Sequence, residues 1–197
     1  MGSYLETCQS PFWREVFEKE LDYLLRALKG HKKILSVGCG PAIIERGLQE
    51  NGFNITGLDV SKEAIEGAPD SIRTVIGSAE NMDFPDSSFD ASIYVVSLQF
   101  IEDYEKAIEE TQRVLMPHGK IVIMLLNTKS RFFNENIKDP ESYMNNIKHK
   151  DFDIVTKAIE KYFSIQTEYY LGIKGQKIFP SNDHLLASLF IIQGTKK

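Results

Sequence analysis

The 197-residue chain is poor in cysteine: only Cys8 and Cys39 occur, with no CxxC or other metal-ligand spacing between them. That excludes a disulfide scaffold and a thiolate zinc site, and predicts a reduced, cytoplasmic protein. No apolar run approaches the roughly 18–20 residues of a membrane span, so no membrane partner is expected. There is no basic excess either. Lys and Arg number 23 against 28 Asp and Glu, a net charge of −5 with a pI near 5.5. Binding to nucleic acid by phosphate neutralisation is therefore disfavoured. The first residues lack the basic and apolar blocks of a signal peptide. Glu6 stands where an acylation signal after Gly2 would carry Ser or Thr.

The four histidines, His31, His118, His149 and His184, have no ligand spacing to one another or to an acidic cluster. No metal site is expected. No Pro/Gly/Ser-rich linker, internal repeat or low-complexity segment divides the chain. What remains is ordinary: 42% apolar and 26% charged residues. One domain over 1–197 is expected, burying roughly 70% of its unfolded surface.

Ser10 and Pro11 suit the start of a helix, and Gly30 suits its end. Between them Trp13, Phe17, Leu21, Leu24 and Leu28 form one apolar stripe. Strand and helix signals then alternate. Strands are predicted at 34–37, 53–60, 72–76, 89–96 and 120–126. Helices are predicted at 42–51, from Ser61 to Ala68, and at 104–115. Met116–Gly119 reads as a turn. This rhythm implies a parallel sheet with helices on both faces. Residues 128–163 break it, being polar and helical only around 151–162. Strands at 166–171 and 187–193 close the chain, the last returning antiparallel.

The informative constellation begins at Ile34-Leu35-Ser36-Val37-Gly38-Cys39-Gly40-Pro41-Ala42. Gly-x-Gly after a first strand lets the backbone turn sharply and approach a ligand. Asp59 follows Gly38 by 21 residues, at the end of the second strand. That is the spacing of a carboxylate that holds ribose hydroxyls. A tight turn and a helix cap are the plain alternatives for each alone; the pair favours a nucleoside site. A dinucleotide fingerprint needs Gly or Ala where Ile43 stands, which disfavours an NAD-dependent oxidoreductase.

The loop instead resembles the Gly-x-Gly-x-Gly of class I S-adenosylmethionine-dependent methyltransferases, of the small UbiE-like type, with Ala42 in the third place. Further segments follow in the family's order. Gly57-Leu58-Asp59-Val60-Ser61 resembles its second motif. Gly77 to Pro85 resembles the loop beside adenine. Phe89-Asp90 resembles the fourth strand, and Glu110-Thr111-Gln112-Arg113-Val114-Leu115-Met116-Pro117 the signature before the fifth. The match covers roughly 33–126. Ser36 departs from the family's usual acid, Ala42 from its third glycine, and Ser78 from an Asp common beside adenine.

The resemblance implies a Rossmann-like seven-stranded sheet, order 3-2-1-4-5-7-6, with the last strand antiparallel. It implies S-adenosylmethionine as cofactor, held by Tyr4, Ser36, Gly38, Cys39, Gly40, Asp59, Val60, Ser78, Ala79, Glu80 and Val95. Residues 1–32 would form a helical lid and 33–126 the cofactor core. Residues 127–164 would cap the substrate, and 165–197 would hold the last strands. The acceptor is expected to be a small molecule, with no nucleic acid and no membrane involved, and the protein a monomer or homodimer. Gln99, Trp13, His149 and His184 are candidate substrate contacts, each with a bland alternative as core or surface residue. Tyr94 is placed beside the cofactor's methionine part. No catalytic side chain can be named. A non-catalytic cofactor-binding scaffold of the same fold is the alternative.

Overall fold

The Ser10 hydroxyl accepts a hydrogen bond from the Trp13 amide, and Pro11 occupies the first turn, so α1 (Pro11–Ala27) starts where its signals stand. The computed structural model describes residues 10–197; Tyr4 and Cys8 lie outside that range. β1 (Lys33–Val37), α2 (Ile43–Glu50), β2 (Asn54–Asp59), the short α3 (Lys62–Ile65), β3 (Arg73–Ile76) and β4 (Phe89–Val95) follow. Then come α4 (Tyr104–Val114), β5 (Leu115–Leu126), α5 (Arg131–Asn136), α6 (Phe152–Glu160), β6 (Phe163–Lys174), β7 (Lys177–Phe179) and β8 (Ala187–Lys196).

Among the described residues the sheet has eight strands, in the order β3-β2-β1-β4-β5-β8-β6-β7. This corrects the expected seven. The expected order is kept, with β7 added at the edge. Gly175, at φ +57°, turns the chain so that Lys177–Phe179 pairs antiparallel with Gly172–Lys174. Three residues are too few to write an alternating pattern. β1 to β5 pair in parallel, and β8 runs antiparallel between β5 and β6.

Successive strand residues point to opposite faces, and each face has its own core. On one side Leu35, Leu58 and Ile121 pack with Ile108 of α4 and Ile159 of α6. On the other, Ile34, Ile55 and Val122 pack with Leu24 of α1, Leu48 of α2 and Phe132 of α5. The predicted turn at Met116–Gly119 is a bulge inside β5. His118 takes φ +60° there, and the β4 pairing resumes at Lys120.

The motif acids and bases are fasteners. Asp90 accepts the Lys32 and Lys33 amides at 2.8 and 2.9 Å, fixing the start of β1. Arg113 bonds both oxygens of Glu110 and also donates to the carbonyls of Met82 and Phe84. Glu110 accepts the Met82 amide at 2.9 Å. This bidentate clamp holds the 82–86 loop against α4.

Candidate active site

The strand ends converge where β1 and β4 part company, the switch point at which open α/β sheets bind ligands. Gly38 has φ +73°, and a Cβ there would sit 2.5 Å from the Ser97 Cβ. Only glycine fits. The Ser97 hydroxyl donates to the Val37 carbonyl at 2.5 Å, holding the loop after β4 against the loop after β1. Gly40, at φ +50°, has open space where a Cβ would go. Ala42 takes φ +56° although it is not glycine, with its methyl group fully buried. Val96, β-branched and at φ +52° beside the same loop, is a second strained position.

Asp59 ends β2. Its Oδ2 accepts the Gly40 amide at 2.8 Å and its Oδ1 the Ser61 amide at 2.9 Å. It thus joins the glycine loop to the start of α3, and each oxygen keeps a lone pair. Beside it stand two exposed apolar side chains, Val60 at 74% and Ile76 at 57%. Asp59 and Ile76 are register partners on adjacent strands. Ser78 accepts the Glu80 amide at 3.1 Å, and Glu80 accepts the Asp103 amide at 2.9 Å. These contacts shape the loop after β3, which includes the half-buried Ala79.

A cavity of about 690 Å³ opens next to this edge, within the usual range for small-molecule sites. The glycine loop (Gly38, Cys39, Gly40), Val95, and Trp13 and Phe17 of α1 line it. Phe132 and residues 136–146 after α5 close another side. Asp59, Val60, Ser78, Ala79 and Glu80 are not in its lining; Asp59 adjoins it through the Gly40 amide. Only the first half of the expected 127–164 cap borders it; α6 packs on the opposite face of the sheet.

Other candidate residues lie elsewhere. Gln99 is 1% exposed and away from the cavity lining. Its Oε1 accepts the Leu126 amide at 2.7 Å, and its Nε2 donates to the carbonyls of Leu126 and His149 at 3.2 and 3.4 Å. It is a buried clip, neither solvent-facing nor open to a ligand. Gln99→Ala should therefore lower stability by about 2–3 kcal/mol while leaving cofactor affinity unchanged, as chemical unfolding and titration would show. The His149 ring bonds the Ile101 carbonyl at 2.8 Å and packs on Tyr104, with ring centres 4.5 Å apart. His184 is exposed, near Tyr169, and outside the cavity. Tyr94 points away, its hydroxyl 2.6 Å from that of Thr111 on α4. Trp13 does reach the cavity, and meets Phe132 edge-on at 6.4 Å.

Two cavity carboxyls carry no sequence motif. Glu45 of α2 is 3% exposed, and the Ser36 hydroxyl donates to its Oε1 at 2.5 Å. Burial pushes its pKa up to about 7 against the opposing pull of Ser36. A buried carboxyl thus stands against Ser36, contributed from nine residues downstream. Glu20 of α1 is also 3% exposed, and its Oε2 has no hydrogen-bond partner among the described residues. Burial alone pushes Glu20 up to about 8. The Cys39 thiol is pushed up to about 12 by burial first, then by Glu45 and Asp59, which leaves it unreactive near neutrality. Among the described residues no group of three His, Cys, Asp or Glu could hold a metal ion. Nor is any helix there long and apolar enough to cross a membrane.

Residues 35–123 match the family model of a methyltransferase domain. The chain is 27% identical over 128 residues to the sterol 4-C-methyltransferase strm-1 of Caenorhabditis elegans, covering 60% of this chain and 37% of that protein. It is 28% identical over 134 residues to a ubiquinone biosynthesis O-methyltransferase of Alkalilimnicola ehrlichii, covering 63% and 50%. Against these two curated relatives it therefore spans half of their length or less. Among solved structures, a SAM-dependent methyltransferase from Archaeoglobus fulgidus superposes with a TM-score of 0.80 at 17% identity, covering 98% of this chain and 100% of that one. A second, from Thermotoga maritima and described as a possible histamine N-methyltransferase, gives 0.77 at 21% identity over 92% and 89%. The cofactor that goes with this domain and fold is S-adenosylmethionine. The ordered motifs resemble those of class I S-adenosylmethionine-dependent methyltransferases, residues 35–123 match a methyltransferase domain, and the fold is the one that these solved methyltransferases share.

Proposed function

We propose that the protein transfers the methyl group of S-adenosylmethionine to a small molecule held in the cavity. The observation that carries this reading is Asp59: a carboxylate at the end of β2, bonded to Gly40 and Ser61 and with lone pairs to spare for two hydroxyls. The residues present fit the cofactor. Open space lies over Gly40, and Val60 and Ile76 offer exposed apolar surface where a flat base would lie. Glu45, bonded to Ser36 and lining the cavity, would take the role of the acid missing at Ser36 and hold the cofactor's amino group. The change at Ser36 is thereby compensated within the same site, which favours an active enzyme over a scaffold.

When bound, S-adenosylmethionine supplies a methyl group already activated on a sulfonium. What the protein must do is orient the acceptor and exclude water. Trp13, Phe17 and Phe132 form an apolar wall for that purpose. Residues 136–146 act as the substrate cap. No side chain need carry the methyl group.

Asp59→Ala should weaken S-adenosylhomocysteine binding by about 1.5–3 kcal/mol, the range for hydrogen bonds to a charged group. Titration of wild type and variant, with circular dichroism to verify folding, checks it. An unchanged affinity in a folded variant would contradict the assignment.

A further inference from the structure

Glu20 is the least explained group in the molecule. It sits on the buried face of α1, four residues from both Val16 and Leu24, and lines the cavity. It is 97% buried with Oε2 unpartnered among the described residues. Buried carboxyls are ordinarily paired, because an unmet acceptor loses its hydration without return. Among the described residues the cavity lining offers no cation. Four acids line the cavity, namely Glu20, Glu45, Asp139 and Glu141, and no Lys, Arg or His does. Among the described residues no ion pair neutralises any of the four. Arg131 and Lys138 of the same segment are exposed and face elsewhere than the cavity lining.

Glu45 is accounted for by its position beside the glycine loop and its bond to Ser36. Glu20 comes from α1 and shares the cavity lining with Trp13 and Phe17 of the same helix and with the strand residues Ser188 and Leu189. Aromatic faces next to a carboxylate form a cage for a positively charged nitrogen.

We propose that the methyl acceptor is a small cationic amine with an apolar body, recognised by Glu20 and the aromatic wall of Trp13, Phe17 and Phe132. This rests on the cofactor reading above and adds the chemical class of the second substrate. Glu20 is the recognition residue: its Oε2 accepts a hydrogen bond from the ammonium, which fills the vacancy in its bonding. An anionic acceptor would meet four carboxyls and no cation. A neutral alcohol brings no positive charge to draw the proton off Glu20, so it would meet only a neutral carboxyl.

The test is calorimetric titration of the intact chain, first saturated with S-adenosylhomocysteine. The probes are 2-phenylethylamine, 2-phenylethanol and 3-phenylpropionate, which share one apolar body. The amine is expected to bind at least about tenfold more tightly than the alcohol, the scale of a charge-assisted hydrogen bond, and the carboxylate most weakly. Glu20→Gln should bring amine and alcohol to within about threefold while leaving S-adenosylhomocysteine affinity unaltered. Glu20→Asp, which keeps the charge, should keep the amine preferred. Equal or tighter binding of alcohol or carboxylate by wild type would overturn the proposal. So would an amine preference that survives Glu20→Gln. Failure of S-adenosylhomocysteine itself to bind wild type would instead sink the cofactor reading beneath it. Melting temperatures of all three proteins separate loss of recognition from loss of fold.

Discussion

Stability should fall as pH rises from about 4.5 to about 8, and Glu20 should be the main cause. The ordinary carboxyl value applies in the unfolded chain, whereas burial raises Glu20 to about 8 in the folded one. Between those values the folded state holds a proton that the unfolded state has released. Unfolding then releases a proton, and stability drops by about 1 kcal/mol or slightly more per pH unit. The contribution is fully present below the unfolded value and is lost as pH passes through the folded one. Over the window the loss is on the order of 3–5 kcal/mol. Glu45 adds a smaller fall, ending near pH 7. Glu20→Gln should remove most of the slope and raise stability at pH 8. Urea unfolding at pH 5, 6.5 and 8 reads this directly. A wild type and variant with parallel pH profiles would show that Glu20 is not held dry. A group that costs the fold stability at working pH, yet lines the cavity, makes sense as a trade of stability for recognition.

Gly38→Ala should have the largest effect of any loop substitution. The added methyl group would lie 2.5 Å from the Ser97 Cβ, in a backbone region that L-residues enter at a cost. Relief requires pulling the loop after β4 away from the loop after β1, which breaks the Ser97–Val37 bond. We expect a loss of about 3 kcal/mol or more, together with loss of cofactor binding. Gly40→Ala, with nothing within 4 Å of the new atom, should keep more of the fold while still intruding on the ligand's space. Denaturation midpoints for the pair test this ordering. A Gly38→Ala protein as stable as wild type would mean that the two loops do not touch as described.

The parallel core was legible because its signals are local. Ser10 and Pro11 start α1, and the apolar runs at 34–37 and 89–96 mark β1 and β4. Gly38 and Asp59 stand at a spacing set by one strand–helix–strand unit. The last strands were read from their own segments and only their order came from the resemblance, while β7 escaped because three residues carry no pattern. Site residues followed the same division. Gly38, Cys39, Gly40 and Val95 reach the cavity because their motifs fix the backbone, and Asp59 lies at its edge. Gln99 looked like a substrate contact because polarity just beyond a strand has no sign of direction, and His149 because it stands in an irregular segment; hydrogen bonds to backbone carbonyls make both fasteners. Glu45 carries no motif, since an acid in a helix's first turn is ordinarily a partner of the helix dipole. Glu20 did leave a trace. It interrupts the Val16–Leu24 face of α1, whose most buried positions are one step round from the Trp13–Phe17–Leu21 stripe. A charge on the buried face of a helix is a request for a partner that the sequence alone cannot supply.

The central claim is that this fold binds S-adenosylmethionine at the glycine loop and Asp59. Calorimetric titration of S-adenosylhomocysteine into the intact chain tests it most directly. The expected result is saturable binding of one ligand per chain, with no saturation by NAD over the same range. Absence of saturable binding up to about millimolar S-adenosylhomocysteine, well above the concentration at which such a site fills, would contradict the account.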